Sequence, residues 1–272
     1  MVLSDVTLRD GMHFFGHTIS LDFVREYAQF AEKAGIPVLE VGHGVSLGCE
    51  NPKLNVDQAV VIGEARKFLN KTMLSTHINP DFCTVEYART MVSTCGIDIA
   101  RIACVPEDVS KTPPFLGLGL KETWISLMYS STMNDDQLAT CVAQLYKYGF
   151  ETVILFDSAG NYLPESVSRR FAKCRAATPS VRLGFHGHNN LQMAVANSIA
   201  SGADIIDASL HGIGAGSGNA PIEILMNLTD NDINKDVVYS FGDTINLWPV
   251  RKSIQVKNAI KNISPLHIND IC

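Results

Sequence analysis

Apolar and polar positions alternate along this chain in two rhythms that take turns. Short, nearly continuous apolar runs fall at residues 2–8, 37–41, 72–77, 97–104, 124–129, 152–156, 181–185 and 203–210. Each has the length and composition of a strand buried on both faces. The intervening segments switch to helical spacing. Leu21, Val24, Tyr27, Ala28 and Ala31 fall at i, i+3, i+4 intervals, with Ser20 and Asp22 as cap candidates and Gly35 as a stop. Residues 57–69, 81–91, 135–148, 165–177, 191–200 and 221–228 read the same way. The segment 106–121 is the weakest, because Pro113, Pro114, Gly117 and Gly119 interrupt it. Strand followed by helix implies parallel strands joined by right-handed crossovers. Eight such units predict a closed (β/α)8 TIM barrel, with an open doubly wound sheet as the runner-up. The barrel is expected to occupy residues 1–228. Residues 229–272 then form a short C-terminal helical tail.

The polar exceptions to this pattern collect at one place in each unit. Arg9, Asp10 and His13 follow strand one, Glu40, Gly42 and His43 close strand two, and His77 closes strand three. Asp157 and Ser158 follow strand six, His186 and His188 finish strand seven, and Asp207, Ser209 and His211 finish strand eight. In such barrels the carboxyl ends of the strands form the catalytic face. Titratable groups gathered at that rim point to an enzyme.

Composition narrows the class. The chain has 272 residues, 46% hydrophobic and 18% charged, enough for a large core and too apolar for disorder. A formal net charge of −6 without a basic cluster argues against nucleic acid as a partner. No apolar run reaches the roughly 18 residues of a membrane span, and the first residues lack the features of a signal peptide. The seven cysteines are odd in number and contain no CxxC pair. Buried thiols in a reducing compartment, by default the cytoplasm, are expected.

His186 and His188 are two residues apart, so on an extended strand both face the same side. With Asp10 they would give two imidazoles and one carboxylate, leaving positions open for water and substrate, as a catalytic divalent metal requires. Mn2+, Mg2+, Co2+ and Zn2+ all suit mixed nitrogen and oxygen donors. Gly212 to Asn219 lies after the last strand, the wrong place for a dinucleotide fingerprint. It reads as a tight loop that brings backbone near the site and feeds a helix capped by Asn219, which could also serve the metal as a weak or outer ligand. Residues 157–160 could present a hydroxyl and backbone N–H groups to a carboxylate, and the loop 44–55 could act as a lid. His43 and His77 are set aside as rim residues.

Thr7-Leu8-Arg9-Asp10-Gly11-Met12-His13, Asp157-Ser158-Ala159-Gly160, His186-Gly187-His188-Asn189 and Gly214-Ala215-Gly216-Ser217-Gly218-Asn219 together resemble one family. It is the 4-hydroxy-2-oxovalerate aldolase family, in the superfamily of isopropylmalate synthase and hydroxymethylglutaryl-CoA lyase. The resemblance implies that Asp10, His186 and His188 hold the divalent metal, Mn2+ first among the candidates. It implies that Arg9 stabilises the pyruvate enolate and that His13 is the acid/base. Arg9, Asp10, Ser158 and His186 would contact substrate. The activity implied is cleavage of a 4-hydroxy-2-oxo acid to pyruvate and an aldehyde, or the reverse, in the catabolism of aromatic hydrocarbons. An ordinary imidazole pKa near 6.5 suits His13 for that task. The rivals are an acetyl-CoA-dependent Claisen-type synthase of the same superfamily and a barrel that has lost catalysis.

The family continues beyond position 272 into a region that supplies an active-site tyrosine and docks an aldehyde dehydrogenase. From this the sequence predicts a stand-alone homo-oligomer without a tight dehydrogenase partner. In the tail, Trp248-Pro249 precedes a basic stretch in which Ile254, Val256 and Ile260 alternate with Arg251, Lys252, Lys257 and Lys261. That stretch is expected to form a helix on the barrel or on a neighbouring subunit.

Overall fold

The computed structural model describes residues 1–49, 55–245 and 253–262. Eight parallel strands close on themselves in sequence order. They are β1 (Val2–Asp5), β2 (Val38–Glu40), β3 (Met73–Ile78), β4 (Ile99–Cys104), β5 (Glu122–Leu127), β6 (Thr152–Asp157), β7 (Arg182–Gly187) and β8 (Ile205–Ala208). β1 pairs with both β2 and β8, which seals the barrel. Around it lie α1 (Leu21–Ala34), α2 (Gln58–Arg66), α3 (Val85–Cys95), α4 (Asp135–Lys147), α5 (Pro164–Ala177), α6 (Ala194–Ser201) and α7 (Ile222–Leu228). Two more helices follow, α8 (Lys235–Gly242) and α9 (Ser253–Ile260). Among the described residues no helix is long and apolar enough to cross a membrane.

The expected stops operate. Ser20 Oγ accepts from Phe23 N at α1, and Gly35 ends that helix with φ 73°. Three expectations shift. The run 2–8 is not one strand, because after Asp5 the N–H groups of Arg9, Asp10 and Gly11 all turn back to the Val6 carbonyl. Arg9 and Asp10 therefore sit in a tight turn rather than on a strand end. The helix expected over 81–91 starts at Val85, capped by Thr84. Asp81 instead donates its N–H to Asn79 Oδ1 in the preceding turn. The segment after β4 forms 3-10 turns at Pro106–Lys111 and Pro113–Phe115 and no α-helix. Consecutive prolines remove two N–H donors, so an α-helical hydrogen-bond ladder cannot run through the segment.

Strand periodicity decides what fills the barrel. Val38, Ile99, Trp124, Ile154 and Ile205 form an apolar layer with Phe156. One step toward the carboxyl ends, the register puts Glu40 beside Ser75, His77 beside Arg101, and Phe156 beside His186. This layer is charged where most barrels carry branched aliphatics. Another step out, Ala103, Met128, Ser158 and His188 floor an open cavity.

The segment after the barrel packs back on it. Phe241 of α8 stacks on Phe30 of α1 with ring centroids 4.1 Å apart. At α9, Gln255 Oε1 accepts from Ser217 Oγ. Just past that helix, Asn262 Oδ1 accepts from Ser131 Oγ and Asn161 Nδ2. These contacts tie the helix to three loops on the cavity side. Trp248-Pro249, Arg251 and Lys252 lie outside the described residues. So do residues 50–54 of the expected lid; its first half is joined to β3 by the bond from Leu47 N to the His77 carbonyl.

Left-handed backbone at residues other than glycine is confined to five positions among the described residues. His17, Tyr129, Gln192 and His211 lie in loops that follow β1, β5, β7 and β8, and Asn262 follows α9.

Candidate functional site

Asp10 belongs to the turn Asp10–His13, and both of its oxygens are occupied from the protein side. Arg9 Nη1 donates to Oδ1 at 2.7 Å, while Asn219 Nδ2 and Ala215 N donate to Oδ2 at 2.8 and 3.1 Å. Burial works to raise the Asp10 carboxyl. Arg9 and the imidazoles of His188, His186 and His13 overcome this and hold it well below the usual carboxylate range. It is an ionised donor.

His186 reaches the same corner from β7. Its Nδ1 donates to Asp207 Oδ2 at 2.9 Å, which fixes the tautomer and leaves the Nε2 lone pair facing inward. Arg101 grips Asp207 with two bonds, at 3.0 and 2.6 Å, and also reaches Glu40 at 3.3 Å. Glu40 in turn accepts from Arg9 Nε at 2.9 Å. A buried chain of alternating charge thus runs Asp10–Arg9–Glu40–Arg101–Asp207 and ends on the hydrogen bond from His186 to Asp207. His188 stands edge-on to His186 with centroids 5.0 Å apart. Its desolvation pushes the imidazole down to about 3, so it is neutral and able to ligate.

One donor atom each from Asp10, His186 and His188 lies within 4.8 Å of the others, and all three side chains are buried. His186 Nε2 and His188 Nδ1 are buried without a hydrogen-bond partner. Two unpartnered imidazole nitrogens and an ionised carboxylate, with His186 and Asp10 held by outer hydrogen bonds, suit a divalent ion with mixed ligands. The Gly212–Asn219 loop makes this possible by close approach. A Cβ on Gly214 would stand 2.6 Å from Asp10 Oδ2. Asn219 does not cap α7; that helix begins at Ile222 with Pro221 at its N-cap and no side-chain cap, and the Asn219 amide is spent on Asp10.

His13 ends the same turn, half-buried, with its Nε2 unpartnered. Its pKa is not the ordinary 6.5. Burial lowers it to about 4, against the pull of Asp10, so the ring is a neutral base at physiological pH. His17 meets it edge-on at 4.8 Å and is anchored by donating Nδ1 to the His43 carbonyl at 2.7 Å. Arg9 keeps one free donor, Nη2. Ser158 Oγ accepts from Tyr129 N at 2.9 Å, which leaves its hydroxyl hydrogen available to the cavity that Arg9, Asp10, Ser158 and His188 all line.

Two features escape a reading of rim residues. Arg101 lies inside an apolar strand, and a lone arginine there, on a strand that must be buried, was the available signal that a carboxylate faces it. His77 lines the cavity beside Phe156, and both of its ring nitrogens are buried without a partner. Asp157 turns its carboxylate away from the cavity, to the N–H groups of Asn161 and Tyr162.

Comparison with known proteins follows this geometry. Residues 53–247 match the model of the HMGL-like family. A 4-hydroxy-2-oxovalerate aldolase of Pectobacterium atrosepticum is 36% identical over 237 residues, covering 83% of this chain and 68% of the relative. One of Streptomyces griseus is 37% identical over 235 residues, with 83% and 69% covered. In fold, the N-terminal domain of an aldolase candidate from Bacteroides vulgatus superposes with a TM-score of 0.82 at 23% identity, covering 99% and 96% of the two chains. The carboxyl transferase domain of Rhizobium etli pyruvate carboxylase gives 0.78 at 16% identity, covering 97% and 48%. By sequence, this chain belongs to the HMGL-like family, among the 4-hydroxy-2-oxovalerate aldolases.

Proposed function

We propose that this chain is a divalent-metal-dependent aldolase that cleaves a 4-hydroxy-2-oxo acid to pyruvate and an aldehyde, and runs the reverse condensation. The observation that carries the reading is the meeting of Asp10, His186 and His188 beside a cavity that Arg9, Asp10 and His188 line, with one guanidinium nitrogen of Arg9 left unpartnered. The names of the relatives at 36–37% identity support the same chemistry. Asp10, His186 and His188 are the ligands; a divalent ion there, Mn2+ by preference, supplies Lewis-acid stabilisation of the charge that develops on the 2-oxo group.

The protein's own groups do the rest. Arg9, fixed between Asp10 and Glu40, cannot swing away and keeps a positive donor aimed where negative charge grows. A preorganised donor of this kind is typically worth about 3 kcal/mol in the transition state. His13, neutral and with Nε2 free, takes the C4 hydroxyl proton in cleavage and returns it in condensation. Ser158 donates its hydroxyl to the substrate carboxylate. Cys83, Cys95, Cys104, Cys141 and Cys174 are buried thiols, which supports a reducing compartment such as the cytoplasm.

The test is a pyruvate-release assay on 4-hydroxy-2-oxo acids of increasing chain length, with and without added Mn2+, on the parent and on His188→Ala. Metal-dependent pyruvate release by the parent is expected, with stoichiometric metal and turnover lost together in the variant. A variant that keeps its full metal complement and turnover refutes the ligand assignment.

A further inference from the structure

The metal corner occupies the β1 and β7 side of the cavity floor, and the substrate's 2-oxo acid half belongs there with Arg9. The floor continues across the barrel to β3, which lies diametrically opposite β7 in an eight-stranded ring. Here the cavity is walled by Phe82, Cys104, Val105 and Met128, and His77 interrupts the apolar surface. His77 is 7% exposed, and both of its ring nitrogens are buried without a partner. Each such nitrogen forfeits the hydrogen bond it would have in water. Burial, and the guanidinium groups of Arg9 and Arg101, keep the ring well below its ordinary pKa and therefore neutral. A neutral imidazole presents one donor and one acceptor, and a hydroxyl group can pair with either.

We propose that His77 is a further substrate-binding residue, and that it hydrogen-bonds a hydroxyl carried by the aldehyde-derived half of the substrate, next to the carbon that becomes the aldehyde. The preferred aldehydes are then uncharged 2-hydroxyaldehydes rather than alkyl aldehydes. An anionic tail is disfavoured, because the mouth on this side carries Asp81 and Asp108, both paired to Lys111. This inference rests on the aldolase reading above and deepens it.

Glycolaldehyde and propanal have nearly the same size and differ by a hydroxyl in place of a methyl. In condensation with pyruvate, each forms one carbon–carbon bond from pyruvate C3 to the aldehyde carbon, and the C3 proton lost is balanced by the one gained on the new hydroxyl. With Mn2+ present, the expected ratio of kcat/KM, glycolaldehyde over propanal, is at least about tenfold, since a site built to hydrogen-bond a hydroxyl rejects the analogue that lacks it. His77→Leu is expected to bring that ratio to near unity, and His77→Asn to keep part of it. A purely structural residue would lower both aldehydes in proportion and leave the ratio unchanged. Equal use of the two aldehydes by the parent, or an unchanged ratio in His77→Leu, overturns the inference. Exchange of the pyruvate methyl protons with D2O, measured on the Mn2+-loaded parent, separates the two levels. Exchange without aldehyde discrimination overturns the role of His77 alone. No exchange overturns the aldolase reading, and this inference with it.

Discussion

Adding one methyl group at Gly214 should damage the metal site more than any other substitution of comparable size. The φ of Gly214 lies outside the left-handed region, so alanine meets no backbone penalty there. Its Cβ would nevertheless sit 2.6 Å from Asp10 Oδ2 and also collide with the Asn219 amide. Real Cβ contacts are essentially never under 3.0 Å, so the carboxylate or the amide must move by several tenths of an ångström. That movement breaks the Asn219 bond at 2.8 Å and strains the Ala215 bond at 3.1 Å. Hydrogen bonds to a charged acceptor contribute about 1.5–3 kcal/mol each. Outer partners of a metal ligand typically affect affinity by about 10–100-fold, and Gly214→Ala should fall in that range. Mn2+ titration followed by electron paramagnetic resonance reads the loss directly. Gly63→Ala is the matched control. That glycine lies inside α2 with nothing within 4 Å of its virtual Cβ, so alanine should leave Mn2+ binding alone and add about 0.5–1 kcal/mol of stability. Gly214→Ala protein that binds Mn2+ as tightly as the parent would show that the glycine loop does not hold Asp10.

Three further outcomes follow from the same geometry. His13→Ala should reduce aldol cleavage by about 10²–10⁴-fold while Mn2+ still binds; steady-state kinetics with a loss of only a few-fold would assign the proton transfer elsewhere. Arg101→Met should cost about 3–5 kcal/mol in urea unfolding, because it leaves Asp207 buried without its guanidinium partner and leaves Glu40 to Arg9 alone, and it should weaken Mn2+ binding through His186; a stability near the parent's would deny the charge chain its role. Metal-free protein should melt at lower temperature at pH 5 than at pH 7. Burial depresses His13 and His43 to about 4 and His188 to about 3, so the unfolded chain takes up more protons as pH falls below about 6.5. Asp5 and Asp157, raised by burial to about 6, act in the opposite sense between about 6 and 4, but the three larger imidazole shifts outweigh them. Calorimetry showing a flat or rising melting temperature between pH 7 and 5 would contradict this balance.

The barrel was readable because parallel strands buried on both faces leave continuous apolar runs, and glycines such as Gly35 mark where helices stop. The pairing of His186 with His188 was readable because they lie two apart at the end of one strand, which fixes their common side without any tertiary knowledge. What stayed hidden depends on closure. Asn219 looks like a helix cap from its neighbours, yet its amide serves Asp10, 209 positions away. Arg101 and Asp207 are 106 positions apart and become partners only when the interior layers of β4 and β8 align. His77 was indistinguishable from a satisfied rim histidine, since sequence does not report a missing hydrogen bond. The pKa of His13 departs from the ordinary value for a related reason: desolvation depends on which tertiary neighbours bury the ring.

The strained residues have a consequence for how the molecule breathes. His17, Tyr129, Gln192 and His211 all hold left-handed backbone in loops on the carboxyl side of the strands. Each stores about 1–3 kcal/mol that any local opening of its loop releases. The opposite end of the barrel carries none of this stored energy among the described residues. Amide exchange should therefore be graded along the barrel axis, fastest in the loops after β1, β5, β7 and β8 and slowest toward the amino ends of the strands. Directed hardening of this scaffold has most to gain on that quiet end, where rigidity does not compete with turnover.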